Sequence, residues 1–144
     1  MKHFILFFIG ISILSGCLKN NELTYHEKRL VGKWFYSEVE YRERWGSLKK
    51  HSLSNDYIGS FFMLKDDFTV TYYDKLKESS YSGQWELVES YNEDDSENVL
   101  ILSLANDLTH EVKQLIFENT NVVRRKIAAH YRTNEEIFYF KLVQ

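Results

Sequence analysis

Between residues 33 and 143 the chain divides into eight short strand-like runs, several of them alternating apolar and polar residues, covering 33–44, 57–64, 68–74, 81–90, 99–105, 111–118, 122–131 and 136–143. A period of two puts successive side chains on opposite faces of an extended backbone, the pattern of strands rather than helices. In the third run Phe68, Val70 and Tyr72 alternate with Thr69, Thr71 and Tyr73, and in the fourth Trp85 and Leu87 alternate with Gln84 and Glu86. The links are rich in Asn, Asp, Ser and Gly; Lys65-Asp66-Asp67 and Asn119-Thr120-Asn121 are expected to turn one strand into the next. The chain has no proline and is 16% aromatic. Aromatic residues favour a pleated surface, and without proline no residue is barred from a ladder. The expectation is an all-β domain: a single antiparallel up-and-down eight-stranded β-barrel with a short N-terminal helix, or alternatively a β-sandwich.

That helix is expected just before the first run, where Thr24 can cap it and Glu27, three positions on, completes a capping-box pattern. Leu23, Leu30 and Val31 would pack it onto the sheet. Further upstream, Lys2 and His3 open an apolar run from Phe4 to Leu14 that carries no formal charge. It is shorter than the ~20 residues needed to span a bilayer as a helix. Its length and flanks fit the central region of a secretory signal peptide.

The run ends in Leu14-Ser15-Gly16-Cys17, which holds the only cysteine and therefore cannot close an intramolecular disulfide. This tetrapeptide resembles the lipobox of bacterial lipoproteins, in which the cysteine is lipidated and becomes the mature N-terminus. The resemblance implies a signal peptide over residues 1–16, a lipidated tether over 17–23 and a folded domain over 24–144. Cys17 would carry acyl chains that anchor the protein in a membrane, since two or three chains hold where one does not. Leu18 stands where an aspartate would favour retention in the inner membrane, so the resemblance implies the outer membrane of the cell envelope, with its periplasmic and surface faces both open.

Within Leu30-Val31-Gly32-Lys33-Trp34, the Gly32-x-Trp34 motif resembles the opening of lipocalins and of smaller bacterial lipocalin-like domains. The stretch from Phe61 through Thr71 and the Gly83-Gln84-Trp85-Glu86-Leu87 strand resemble the middle hairpin and fourth strand of such lipoproteins. The resemblance implies that Trp34 closes one end of a barrel and that Gly32 lets the backbone turn in beside it. It departs in one place: lipocalins carry an arginine on the last strand against that tryptophan. Here the last run offers Lys141, with Arg124 and Arg125 one strand earlier.

Removing the leader takes one lysine from the 18 basic residues and leaves the 21 acidic ones, moving the net charge from −3 to −4. A mildly acidic chain without a basic block gives no footprint for nucleic acid. The five histidines are scattered without ligand spacing, so no metal is expected. The acidic segment from Glu93 to Glu97 lacks the mid-loop glycine and alternating oxygens of a calcium loop. No nucleophile elbow or phosphate-cradling loop is present, and neither catalysis nor a cofactor is expected.

An eight-stranded barrel is either filled by its side chains or holds one small ligand. The resemblance implies binding of a small apolar ligand, and Tyr72, Trp85, Phe117, Phe138 and Phe140 are the candidate lining residues. The rival reading is a protein-interaction, inhibitor or immunity-type lipoprotein that uses the outer face of a packed barrel. The fifth and eighth runs are apolar on both faces, so Ile101, Ile137 and Tyr139 call for a cover, with the helix near Tyr25 the simplest one.

Overall fold

The computed structural model describes residues 22–46, 48–92 and 95–144. The signal-peptide segment, Cys17, and Glu93 and Asp94 of the acidic segment lie outside the described residues. The chain forms α1 (Tyr25–Leu30), β1 (Gly32–Glu43), β2 (His51–Ser52), α2 (Ser54–Tyr57), β3 (Phe61–Leu64), β4 (Thr69–Asp74), β5 (Ser79–Asn92), β6 (Asp95–Asn106), β7 (Val112–Val123), β8 (Lys126–Arg132) and β9 (Glu136–Val143).

From β3 to β9 each strand pairs antiparallel with the next, and β1 pairs with β3 on one edge and β9 on the other. The ladder therefore closes on itself as an eight-stranded barrel, and not as two stacked sheets. The short β2 is an extra strand, laid beside β1 at Glu40 and Tyr41 where β3 no longer reaches. The β1–β9 junction runs from Phe35 opposite Val143 to Glu43 opposite Glu136, with a bulge between Tyr36 and Glu38. Among the described residues, the closed sheet and its core draw on residues 23–144.

Inward-facing residues recur at alternate positions along the barrel strands, interrupted by the bulges in β1 and β7, and Trp34, Phe62, Leu100, Leu102, Phe117 and Leu142 are among the most deeply buried. One end is sealed by α1. Its capping box is formed as expected, with the Thr24 amide donating to Glu27 Oε2 at 2.7 Å and the Glu27 amide to Thr24 Oγ1 at 3.2 Å. Six residues do not hold a helix in water. Here the Leu30 side chain is buried against the core, the Trp34 indole N–H donates to the Leu30 carbonyl at 2.7 Å, and the Arg29 guanidinium donates to the Val122 carbonyl.

The Gly32 and Trp34 motif sits at this sealed end. Gly32 has φ +139°, and a Cβ there would lie 2.0 Å from Gln144 Nε2, which donates to the Val31 carbonyl at 2.9 Å. The residue beside the barrel opening is thus Gln144. Lys141 points outward and pairs with Glu38 at 2.6 Å, and Arg124 and Arg125 form the β7–β8 turn.

Three local expectations are corrected. Tyr57 ends α2 rather than opening a strand, because Ser54 Oγ accepts the Val39 amide at 2.9 Å and the Leu53 amide donates to the Val39 carbonyl at 2.8 Å, fixing one helical turn against β1. Asn119-Thr120-Asn121 is a bulge within β7, not a turn: the register moves from Glu118 opposite His130 to Asn121 opposite Ala128, and Asn119 takes φ +50°. Finally, α1 lies at the barrel end and does not cover the outer apolar residues. Tyr139 is covered instead by Lys50, whose Nζ lies 4.5 Å from the ring centroid, and by Arg42 at 5.9 Å.

Candidate functional site

At the end opposite α1, aromatics from five elements, Tyr131 of β8 among them, leave a space unfilled. β1 brings Tyr36, α2 brings Tyr57, β7 brings Leu115 and Phe117, and β9 brings Phe138 and Phe140. Together with Gln114, Ile116 and Tyr131 they line a pocket of about 220 Å³. The pocket exists because the strands are unequal. β7 residues 112–117 pair only with β6, while its pairing with β8 begins at Glu118 opposite His130. The wall between β7 and the β8–β9 hairpin is open at that height.

The rings form a connected set. Tyr36 and Tyr57 have centroids 5.0 Å apart, Tyr36 and Phe140 6.3 Å, and Phe117 meets Phe140 edge-to-face at 5.2 Å. Phe62 backs Phe117 at 5.6 Å and closes the floor. These separations lie in the range favoured for offset and edge-on aromatic pairs, so the lining is pre-organised.

A polar cluster adjoins the aromatic wall. Lys113 Nζ lies 3.4 Å from Asp74 Oδ2 and sits 4.3 Å from the ring centroids of both Tyr72 and Tyr81. Burial outweighs the attraction of Asp74 and leaves the Lys113 ammonium below the usual lysine range. Burial likewise pushes Tyr36 well above the usual phenol range, with the Tyr72, Tyr57 and Asp74 groups adding to it. Tyr57 is raised by burial and then by Asp74 and Asp56. Tyr72 is raised first by burial and then by Asp74, with its hydrogen bond to Ser60 acting the other way. All three tyrosines therefore keep their protons at any physiological pH, and the two of them that line the pocket, Tyr36 and Tyr57, are neutral.

Of the five candidate lining residues, Phe117, Phe138 and Phe140 meet in this pocket. Tyr72 does not line it; it packs on Tyr81 at 5.7 Å beside the Lys113–Asp74 pair. Trp85 belongs to the α1 half of the barrel, where its indole N–H donates to the Lys65 carbonyl at 2.9 Å and its ring meets Phe68 at 5.1 Å. Sequence reasoning missed Tyr36 and Tyr57. Tyr36 lies two positions beyond Trp34 on the same strand face, a signal that was available; Tyr57 arrives only through α2.

The chain matches no protein-family model, no curated protein and no solved structure. The site therefore has to be read from its own geometry. Among the described residues no group of three or more His, Cys, Asp or Glu side chains could hold a metal ion, and no helix is long and apolar enough to cross a membrane.

Proposed function

We propose that this protein is an envelope lipoprotein, anchored through Cys17, whose lipocalin-like barrel binds a small apolar ligand in the aromatic pocket at the end remote from α1. The observation that carries the reading is the pocket itself, a preformed space walled by Tyr36, Tyr57, Phe117, Phe138 and Phe140; the space of about 170 Å³ beneath α1 is lined mainly by polar residues such as His26, Asn98 and Asn119. A cavity of ~150 Å³ lined by apolar side chains takes up benzene. A pocket of about 220 Å³ suits one ring or a short acyl segment. The neutral tyrosine hydroxyls support a ligand that carries a single polar group.

Native mass spectrometry and organic extraction of the acyl-free 18–144 domain test this. A co-purifying apolar species is expected, and it should be lost from Leu115→Trp, in which the new indole fills the pocket. A parent domain that takes up no apolar compound, or a Leu115→Trp domain that still holds one, overturns the reading. The anchor is tested separately: Cys17→Ser should release the protein from the membrane fraction.

A further inference from the structure

A two-residue hairpin turn of the favoured kind needs positive φ at both central positions, and Asn-Gly fills it because neither residue resists that conformation. The β7–β8 hairpin is such a turn, with Val123 opposite Lys126, yet its central residues are Arg124 and Arg125, at φ +49° and +61°. Long side chains in the left-handed region are sterically disfavoured. The barrel asks only for main-chain groups here, since the Gln144 amide donates to the Arg125 carbonyl at 3.1 Å. Among the described residues no carboxylate stands within ion-pair distance of either guanidinium. Conformational strain kept at an exposed tip points to a use for the side chains it carries.

The surroundings of the tip say what that use is. Lys126 follows directly, and the last turn of α1 brings exposed Lys28 and Arg29 to the same end of the barrel, tied there by the bond from Arg29 to the Val122 carbonyl. Beside the tip an open groove of about 500 Å³ crosses the outside of β8 and β9, with Val123, Ala128 and Val143 in its wall and Arg124 and Lys126 at its edge. Apolar residues flanked by Arg124 and Lys126 match the acyl boundary and the phosphates of a phospholipid layer.

We infer that the β7–β8 tip, with the adjoining last turn of α1, docks on an anionic phospholipid surface, with Arg124, Arg125, Lys126 and Lys28 on lipid phosphates and Val123 at the acyl boundary. This rests on the proposed anchor, because a tether from Cys17 to Thr24 reaches at most ~25 Å and enters at α1, so this end is the one held at the bilayer. At this same end the β3–β4 turn carries Asp66 and Asp67 and the β5–β6 hairpin carries Glu89 and Glu97, so the lipid contact is confined to the β7–β8 tip and the last turn of α1.

The test is co-sedimentation of the acyl-free 18–144 domain with vesicles of phosphatidylcholine alone or mixed with phosphatidylglycerol, at low and high salt. Binding is expected only with phosphatidylglycerol, and raising the salt should abolish it. The Arg124→Asn, Arg125→Gly double variant gives the turn its preferred residues. It should therefore unfold at higher denaturant than the parent while its binding falls about 25-fold, near fivefold for each cation lost. Equal binding to both vesicle types, salt-independent binding, or a double variant that binds like the parent overturns the proposal. A domain that fails here while Cys17→Ser still releases the full-length protein from membranes loses the docking face and keeps the anchor.

Discussion

His130 shows how one side chain can couple the barrel wall to pH. It lies across the β7–β8 ladder from Glu118, with Nε2 3.4 Å from Glu118 Oε2. Its pKa stands below the ordinary value near 6.5, chiefly through burial and then through Arg132, against the opposing pull of Glu118 and Glu97. The unfolded chain thus takes up this proton more readily than the folded one. Stability should fall as pH drops from about 6.5 through the lowered folded value and level off below it. In His130→Gln that part of the slope should vanish, which thermal unfolding followed between about pH 7 and pH 5 will reveal. At this same scale the capping box of Thr24 and Glu27 was legible, because it is spelled out over four consecutive residues. The reach of Gln144 to Val31 was not, since it exists only once the two ends of the sheet have met.

Two strands carry glycines that face different neighbours, and the difference is measurable. A Cβ at Gly83 in β5 would lie 1.9 Å from the Ser103 carbonyl oxygen of β6, part of a paired backbone that cannot swing aside. The Cβ at Gly32 meets only the end of the flexible Gln144 side chain, leaving the φ of +139° as the main penalty. Gly32→Ala should lower stability by about 1–3 kcal/mol. Gly83→Ala should lower it further and disturb the β5–β6 ladder, as urea midpoints and amide exchange of the two variants would report. Alternation told which residues face inward, so Phe117, Phe138 and Phe140 could be picked out before the fold was known. It says nothing about height along the barrel, so Tyr72 and Trp85 passed the same test and sit elsewhere. The β7 bulge was misread for a chemical reason: asparagines that tolerate positive φ serve a bulge as well as a turn. The true turn was hidden because two arginines occupy it. Four residues of α2 are too few for any helical period to show.

For the molecule as a whole, topology and composition make separate claims on folding. Most of its structure consists of pairings between strands, and the pairing of β1 with β9 brings together residues about a hundred positions apart, as Phe35 and Val143 do. Such contacts place refolding in the millisecond-to-second range. The chain has no proline, so the isomerisation phase of ~10–100 s that slows many domains should be absent from its refolding trace. A double-jump experiment that finds such a phase would contradict this. The circular arrangement of strands also has a meaning for biosynthesis. Because the opening strand finds its second neighbour only in the final one, a nascent chain halted before Glu136 presents two bare rims, each a template for another copy. Until those last residues emerge, no finished ring can lock.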